Sequence, residues 1–310
     1  MKSLDDYKVS SGVGYLDRLI NSFNRGDNVI WQVETGAFVE LFCRAFIRDS
    51  VKDNKDVVYV SFNNSPKNIL AKIGPAINNE NVVIVDCFTS GKGENSNLFH
   101  DLYTTAYTGY KCKIIHVKDP GDAQQFINII NRIEEEMPRG ARYVFDSITG
   151  MQDLWGSSEQ IMKFFTRQCP RLYELDTIAY WILERNAHSE QFRAQLSHIT
   201  QDVIDLTIES GTCVMSVIKA ENHPESGMLK KHSYEVVNGI IEFIENIDAE
   251  SVNIGRKIKK LRLKREMSQA QLAKAAGVTP STISQVENNT INLSLQALLR
   301  LARALNNQLK

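Results

Sequence analysis

The final part of the chain carries the pattern that restricts its fold most, because two helix starts and the turn between them can be read from consecutive residues. Ser268-Gln269-Ala270-Gln271 predicts a capping box, in which the Ser hydroxyl and the Gln271 side chain satisfy backbone groups at a helix start. Gly277 predicts the left-handed residue that ends this helix. Thr279 and Pro280 then predict the N-cap and the first residue of a further helix that reaches about Glu287. These residues predict two short helices joined by a tight turn.

Amphipathic helices are predicted on both sides of this pair. Ile254, Ile258 and Leu261 recur at helical spacing, so we expect them to face a core from a basic helix that ends near Arg265. The segment Ser294 to Leu305 predicts the other helix. The region as a whole therefore predicts a small all-α domain of four helices.

Charge divides the chain at the same place. Residues 251–310 contain eleven Lys and Arg against two acidic residues, Glu266 and Glu287, which gives a net charge of +9. Since the whole chain has 36 basic and 37 acidic residues, residues 1–250 keep 25 and 35 of them, a net charge of −10. Basic charge gathered in so short a segment is typical of proteins that bind a phosphate backbone. The acidic part is a poor general surface for nucleic acid.

The stretch SQAQLAKAAGVTPSTISQVENN resembles the phage-repressor type of helix-turn-helix, the Cro-like or XRE family. The resemblance implies that the second helix of the pair enters the major groove of double-stranded DNA, where each base pair has its own donor and acceptor pattern. It implies base reading by Pro280, Ser281, Thr282 and Gln285, and phosphate contacts by Gln269, Thr279 and Asn288. Arg262 and Glu287 match a pair that ties two helices together in this family. The alternative is a helical module that binds proteins.

Residues before this region alternate between apolar strands and amphipathic helices. Long apolar runs separated by helices predict a largely parallel sheet covered on both faces. We expect strands at Val29–Val33, Val57–Phe62, Val82–Asp86, Lys113–Val117, Tyr143–Asp146, Thr177–Leu183, Val203–Ile208, Cys213–Ala220, Ser233–Val237 and Ile240–Ile244. Helices are expected at Phe38–Lys52, Ala123–Met137 and Glu159–Leu175, and a turn at His223–Gly227.

This part resembles the KaiC-like branch of the RecA-type ATPases, through SGVGYLDRLI, VVYVSFNNSP, ARYVFDSITGM, ITQDVIDL and HSYEVVNGIIEF in that order. The predicted fold class is therefore α/β: a RecA/KaiC-like, mostly parallel sheet covered by helices, followed by the all-α helix-turn-helix domain. We place the first domain at residues 1–246 and the second at residues 247–310, with a join at Asn246–Asn253.

The resemblance fails where a P-loop would bind phosphate. A P-loop reads Gly-x-x-x-x-Gly-Lys-Ser/Thr, so that backbone amides cradle phosphates, the Lys contacts them and the hydroxyl binds magnesium. In the corresponding segment Val33 and Phe38 replace the glycines, Val39 replaces the Lys and Glu40 replaces the hydroxyl. The expected remnant of the pocket consists of Thr35, Gly36, Val39, Glu40 and Asp146.

The second catalytic element is also altered. The resembled family has paired glutamates after its second strand, whereas this chain has Asn63 and Asn64, and an amide is not a general base. Asp146 keeps the position that binds magnesium in the family, and we expect its carboxylate to cap the following turn or to accept from backbone amides. We therefore predict no catalytic residues, no cofactor and no metal, while binding of some nucleotide or other ligand stays open.

These observations predict a DNA-binding transcriptional regulator whose larger domain serves self-association or signal sensing. The expected partners are double-stranded DNA, further copies of the chain, as a dimer or higher homo-oligomer, and an unknown small-molecule or protein signal. The alternatives are an ATPase recruited to DNA and a protein-interaction adaptor. No apolar stretch reaches the roughly 20 residues of a membrane span, so we expect a cytoplasmic protein. The five widely spaced cysteines are expected to be reduced packing residues.

Overall fold

The computed structural model describes residues 7–99, 110–137, 140–221, 229–244, 254–288, 290–291 and 294–306. The chain divides into two compact units, Met1–Ile244 and Glu245–Lys310. The expected turn at His223–Gly227 and the whole join at Asn246–Asn253 lie outside the described residues. No helix in the described part of the chain is both long and apolar enough to cross a membrane.

The strands of the larger unit follow the apolar runs of the sequence. They are β1 (Lys8–Val9), β2 (Phe23–Asn24), β3 (Asn28–Val33), β4 (Val57–Ser61), β5 (Val82–Asp86), β6 (Lys113–His116), β7 (Arg142–Asp146), β8 (Ile178–Glu184), β9 (Asp202–Glu209), β10 (Thr212–Ala220), β11 (Lys231–Val237) and β12 (Ile240–Phe243). The ten predicted strands are all present, and their ends differ from the prediction by at most two residues.

The helices of the larger unit are α1 (Gly14–Ile20), α2 (Val39–Lys52), α3 (Pro66–Ile73), α4 (Ala123–Glu136), α5 (Ile148–Trp155), α6 (Ser158–Glu174) and α7 (Glu190–Ile199). The predictions for α2, α4 and α6 are confirmed to within one residue at each end. Helices α1, α3, α5 and α7 were not predicted because they have ten residues or fewer, which is too short for a clear helical period.

Ten strands form one sheet in the order β12-β11-β10-β9-β3-β8-β7-β4-β5-β6. Strands from β9 to β6 in this order pair in parallel, whereas β10, β11 and β12 add an antiparallel extension beyond β9. The expected mostly parallel sheet is confirmed. Since parallel strands end at the same edge, their carboxyl ends bring together polar residues that are distant in sequence.

Two apolar cores lie on opposite faces of this sheet because successive residues of a strand point to opposite sides. In β3, Val29 and Trp31 belong to the core that contains residues of α1, α2 and α3, whereas Ile30 belongs to the core that contains residues of α4 to α7. Cys43, Cys87, Cys112 and Cys169 are buried and unpaired, and Cys213 is partly buried. Burial raises the pKa of the thiols of Cys43, Cys87 and Cys169, which suits packing residues rather than nucleophiles.

The described residues of the smaller unit form four helices, α8 (Ile254–Lys264), α9 (Gln269–Ala276), α10 (Pro280–Glu287) and α11 (Leu295–Asn306). They enclose a separate core formed by Ile258, Met267, Leu272, Ala273, Ala276, Ile283, Val286, Leu301 and Leu305. The predicted all-α unit is therefore confirmed. Leu261 was expected in this core, and that prediction is wrong, because its side chain is 41% exposed while the neighbouring Arg262 faces inward.

Candidate functional site

The turn between α9 and α10 has the caps that the sequence predicts. Ser268 Oγ accepts from Gln271 N at 3.1 Å, and Gln271 Oε1 accepts from Ser268 N at 2.7 Å, which completes the capping box. Gly277 ends α9 in the left-handed conformation with φ of 68°. Thr279 caps α10 by accepting from Thr282 N at 3.1 Å. The sequence of the turn thereby determines the angle at which α10 leaves α9.

A buried ion pair connects α8 with α10. Arg262 Nε donates to Glu287 Oε1 at 2.6 Å and Arg262 Nη2 donates to Glu287 Oε2 at 3.0 Å, while Nη1 donates to the Met267 carbonyl at 2.7 Å. The hydrogen bond to Glu287 raises the pKa of Arg262. Burial acts to raise the pKa of Glu287, but the hydrogen bonds from Arg262 and Gln269 outweigh it and lower that pKa. The structural role expected for Arg262 and Glu287 is confirmed.

The residues expected to read bases lie at the surface of α10. Pro280, Ser281 and Gln285 are exposed. Thr282 is partly buried, and its hydroxyl lies 2.8 Å from the Thr279 hydroxyl, so part of its hydrogen-bonding capacity is used within the cap. The exposed side of α10 is polar and uncharged, since the acidic residue of this helix, Glu287, is held in the ion pair.

The three expected phosphate-contacting residues have different surroundings. Gln269 is the first residue of α9, and its side-chain amide donates to Glu287 Oε2 at 2.9 Å. Thr279 uses its hydroxyl as the cap of α10. Asn288 is exposed at the carboxyl end of α10. Gln269 therefore also supports the ion pair, and phosphate contacts by these residues stay a prediction.

The larger unit has a cavity of about 430 Å³ at the carboxyl ends of β3, β4, β7 and β8. All five residues expected in the remnant pocket line it, namely Thr35, Gly36, Val39, Glu40 and Asp146. Sequence reasoning missed Tyr59, Lys72 and Glu184, which also line it. Glu184 ends the apolar strand β8 as Asp146 ends β7, and that shared position is a signal that could have identified it.

The loop between β3 and α2 is held by other parts of the protein. Glu34 Oε2 accepts from Ile208 N at 3.0 Å, and the Tyr234 hydroxyl donates to the Ala37 carbonyl at 2.6 Å. Gly36 has φ of +94°, and Phe38 has a left-handed backbone with φ of 56° just before α2. Phe38 is 41% exposed and lines the cavity. A ring therefore occupies the place where a P-loop brings bare backbone against a phosphate.

Charges around the cavity oppose an anionic ligand. Four carboxylates line it, from Glu34, Glu40, Asp146 and Glu184, and Lys72 is the one cation among the described lining residues. Glu40 stands in the first turn of α2, where the helix dipole would otherwise favour a phosphate. At an effective dielectric of about 20, one like charge at about 4 Å costs roughly 4 kcal/mol. These residues do not fit a magnesium-bound triphosphate.

Asp146 is bound by side chains rather than by backbone amides. Its Oδ2 accepts from the Tyr59 hydroxyl at 2.7 Å and from Asn64 Nδ2 at 3.5 Å. The cap of α5 is instead Ser147, whose Oγ accepts from Gly150 N at 3.1 Å. The expectation that Asp146 caps the turn or bonds backbone amides is therefore wrong. Burial raises the pKa of Asp146, partly offset by the hydrogen bond from Tyr59.

The two asparagines that replace the family's glutamates are engaged in amide hydrogen bonds. Asn63 Nδ2 donates to Ser147 Oγ at 3.2 Å, and Lys92 Nζ donates to Asn63 Oδ1 at 2.5 Å. Asn64 Oδ1 accepts from Lys72 Nζ at 2.9 Å. Within the described residues, no group of three or more His, Cys, Asp or Glu is arranged to hold a metal ion.

Comparisons with known proteins match both units. A family model described as KaiC ATPase matches residues 9–248, and one described as helix-turn-helix matches residues 258–309. The solved structure of a KaiC-like protein from the hyperthermophilic archaeon Pyrococcus horikoshii matches with a TM-score of 0.54 and 16% identity. The match covers 76% of this chain and 98% of that chain, and at this identity it shows the fold alone. A search of curated proteins gives no match.

Proposed function

The chain belongs to the KaiC ATPase family, and from this starting point we propose that it is a sequence-specific DNA-binding transcriptional regulator. The observation that carries the proposal is the polar, exposed face of α10, which includes Ser281 and Gln285 and is held by the Arg262–Glu287 ion pair. Helix-turn-helix units place such a helix in the major groove. The net charge of +9 in residues 251–310 supports contact with the phosphate backbone.

Base reading is assigned chiefly to Gln285. The side-chain amide of Gln285 is exposed, so its NH₂ group can donate to N7 of adenine while its oxygen accepts from the N6 amino group. Ser281 and Pro280 stand nearer the start of the same helix, where they can contact base edges or a thymine methyl group. No Arg or Lys lies in α10, so guanine is a poorer match than adenine for this helix.

The larger unit is assigned to self-association or signal sensing rather than to hydrolysis. Support comes from the cavity, where Phe38, Val39 and Glu40 stand in place of the phosphate-binding Gly, Lys and hydroxyl of a P-loop. Pairing of two chains would place two DNA-reading helices on the half-sites of a palindrome and raise their effective concentration on DNA. A dimer or higher homo-oligomer on double-stranded DNA is therefore the proposed assembly.

An ATPase recruited to DNA is the second candidate, and the retained Asp146 beside a 430 Å³ cavity is the observation that favours it. This candidate requires binding of Mg-ATP that weakens in the Asp146→Asn variant. Calorimetry with Mg-ATP and Mg-ADP, together with phosphate release measured with and without DNA, separates the two functions. Heat of binding that depends on Asp146, with phosphate release, would favour the ATPase.

The regulator is tested by selecting bound fragments of genomic DNA with the full-length protein and then measuring variants on the selected site. We expect Gln285→Ala to weaken binding to that site by about 1–3 kcal/mol, against little change on random DNA. Gln296→Ala is the matched control, since Gln296 is exposed on α11 outside the reading helix. Equal losses on both DNAs would contradict base reading by Gln285. Failure to enrich any sequence would instead favour a protein-interaction adaptor.

A further inference from the structure

A serine, a histidine and an aspartate are connected by hydrogen bonds at the carboxyl edge of the sheet. Asp86 and His116 are the last residues of β5 and β6, and the parallel register places them side by side. His116 Nδ1 lies 3.2 Å from Asp86 Oδ2, and His116 Nε2 lies 2.7 Å from Ser90 Oγ. None of the three lines the cavity described above. The order of contacts is that of a nucleophile, a base and an orienting acid.

Asp86 is a fixed acceptor. It is 1% exposed, and its Oδ1 accepts from the backbone N–H groups of Phe88 and Thr89, both at 3.0 Å. Its Oδ2 accepts from the Thr89 hydroxyl at 2.5 Å. As a carboxylate, Asp86 accepts a hydrogen bond from Nδ1–H of His116, which leaves Nε2 of the neutral ring as an acceptor for the Ser90 hydroxyl. This tautomer is the one that a general base requires.

Ser90 stands in a tight turn directly after β5. A Cβ atom on Gly91 would lie 2.6 Å from the Cys87 carbonyl oxygen, and a Cβ atom on Gly93 would lie 2.6 Å from the Thr89 carbonyl oxygen. A side chain is therefore excluded at positions 91 and 93, and Ser90 itself stays partly exposed. The His116 side chain is 31% exposed, so solvent reaches the pair.

The backbone N–H of Gly91 follows the serine directly, which is the position of an oxyanion donor in serine hydrolases. The backbone N–H of Gly91 donates no hydrogen bond to another described residue. In serine hydrolases the amide of the residue after the nucleophile contributes to the oxyanion hole. Phe88 and Phe99 lie in the same segment, in edge-to-face contact with their ring centroids 5.6 Å apart. Their rings offer apolar surface for an acyl group.

We infer that Ser90, His116 and Asp86 form a nucleophilic site that hydrolyses small carboxylic esters with an apolar acyl group. Ser90 Oγ attacks the ester carbonyl carbon while its proton passes to His116 Nε2. The bond to the alcohol oxygen then breaks, and the imidazolium returns the proton to that oxygen. Water then attacks the carbonyl carbon of the acyl-serine while His116 Nε2 takes a proton from it. The bond to Ser90 Oγ breaks, the imidazolium returns the proton to Ser90 Oγ, and the carboxylic acid is released. Asp86 stabilises the imidazolium in both steps.

An ester is favoured over an amide as the substrate because an alcohol is a better leaving group than an amine. His116 is the group that donates the proton to the leaving alcohol oxygen. The site lies outside the DNA-reading unit and outside the family's phosphate-binding loop. Its activity is therefore independent of the proposed function, and either can fail without the other.

A fluorophosphonate probe, which reacts with activated serine hydroxyls, tests the site in the full-length protein. We expect peptide mass spectrometry to find the probe on Ser90, no label at this position in Ser90→Ala, and labelling slowed about a hundredfold in His116→Gln. Ser158→Ala is the matched control, because Ser158 is exposed at the start of α6, and it should label as the unmodified protein does. The rate of p-nitrophenyl acetate hydrolysis should fall in Ser90→Ala and His116→Gln and stay unchanged in Ser158→Ala.

A second variant covers the case in which His116→Gln fails to fold. In Ser90→Cys the new thiol should react with iodoacetamide at pH 6.5 about tenfold faster than the thiol of Ser210→Cys, because His116 stabilises the thiolate. Ser210 is exposed in the turn between β9 and β10, away from any helix start. Absence of probe on Ser90, labelling of Ser90 that is unchanged in a folded His116→Gln variant, or equal alkylation of the two thiols would each overturn the inference.

Discussion

Replacing Arg262 by Met tests whether one ion pair holds the DNA-reading helix in position. The substitution keeps the aliphatic stem of the side chain and removes three hydrogen bonds, two to Glu287 and one to the Met267 carbonyl. The side chains of Arg262 and Glu287 are 8% and 1% exposed, so Glu287 is left with a buried charge and, among the described residues, the Gln269 amide as its donor.

Breaking such a pair costs about 3–5 kcal/mol. We take the lower end, since Gln269 still donates to Glu287. A domain of roughly fifty residues has about 3–8 kcal/mol of stability in total. The Arg262→Met variant should therefore lose most of the stability of the smaller unit while the larger unit stays folded.

Hydrogen exchange of the full-length protein measures this directly. A loss of about 3 kcal/mol raises the opening equilibrium of α8, α9 and α10 roughly a hundredfold, because each 1.4 kcal/mol is about a factor of ten. Lys264→Met is the matched control, an exposed cation on the same helix, and it should leave protection unchanged. Glu287→Gln should also lose protection, and the double variant should lose less than the sum of the two. Arg262→Met with the protection of the unmodified protein would refute the reasoning.

Three further predictions concern the larger unit, each measured as a free energy of unfolding of that unit. Gly12→Ala should cost more than about 2 kcal/mol, because a Cβ atom there would lie 2.2 Å from a backbone oxygen of α2. Gly156→Ala should cost about 1 kcal/mol, because Gly156 is in the left-handed conformation at the end of α5 and a Cβ atom there would have nothing within 4 Å. Equal losses would contradict a steric cause. Phe38→Gly should raise the free energy of unfolding by up to about 1 kcal/mol, because it removes the strain of a left-handed backbone from an exposed aromatic residue. A clear loss of stability would mean that packing of the Phe38 ring stabilises the fold. Burial raises the pKa of Asp27 to about 6, against the opposing effect of hydrogen bonds with Asn24 and Asp202. The stabilising contribution of Asp27 is therefore present below about pH 3.8 and is lost as the pH rises through about 6. Asp27→Asn should flatten the profile of stability against pH between about pH 4 and about pH 7, and an unchanged slope would count against this assignment.

Local patterns in the sequence predicted the elements well. Buried parallel strands need unbroken apolar runs, so the ends of β3 to β9 follow from the sequence to within one or two residues. The caps at Ser268 and Thr279 also depend on neighbours within three residues. Leu261 shows where this reasoning fails, because helical spacing fixes a face only to within about one residue. The pairing of Arg262 with a distant Glu287 decided which side chain of α8 turned inward.

The polar contacts at the sites required the tertiary structure. Tyr59 is 87 residues from Asp146 in sequence, and Ser90 is 26 residues from His116, yet each pair is 2.7 Å apart. A hydrogen bond depends on separations of a few tenths of an ångström, and these are determined by the order and register of the strands. No pattern among neighbouring residues of the sequence predicts either hydrogen bond.

The sequence by itself therefore determined the two units, their opposite charges, the helix caps of the DNA-reading part and the replacement of the phosphate-binding residues. Each of these depends on residue identity or on neighbours a few positions away. The tertiary structure alone decided which polar side chains meet, because the parallel sheet aligns the ends of strands that are far apart along the chain. Those contacts join Asp146 to Tyr59 and His116 to Ser90.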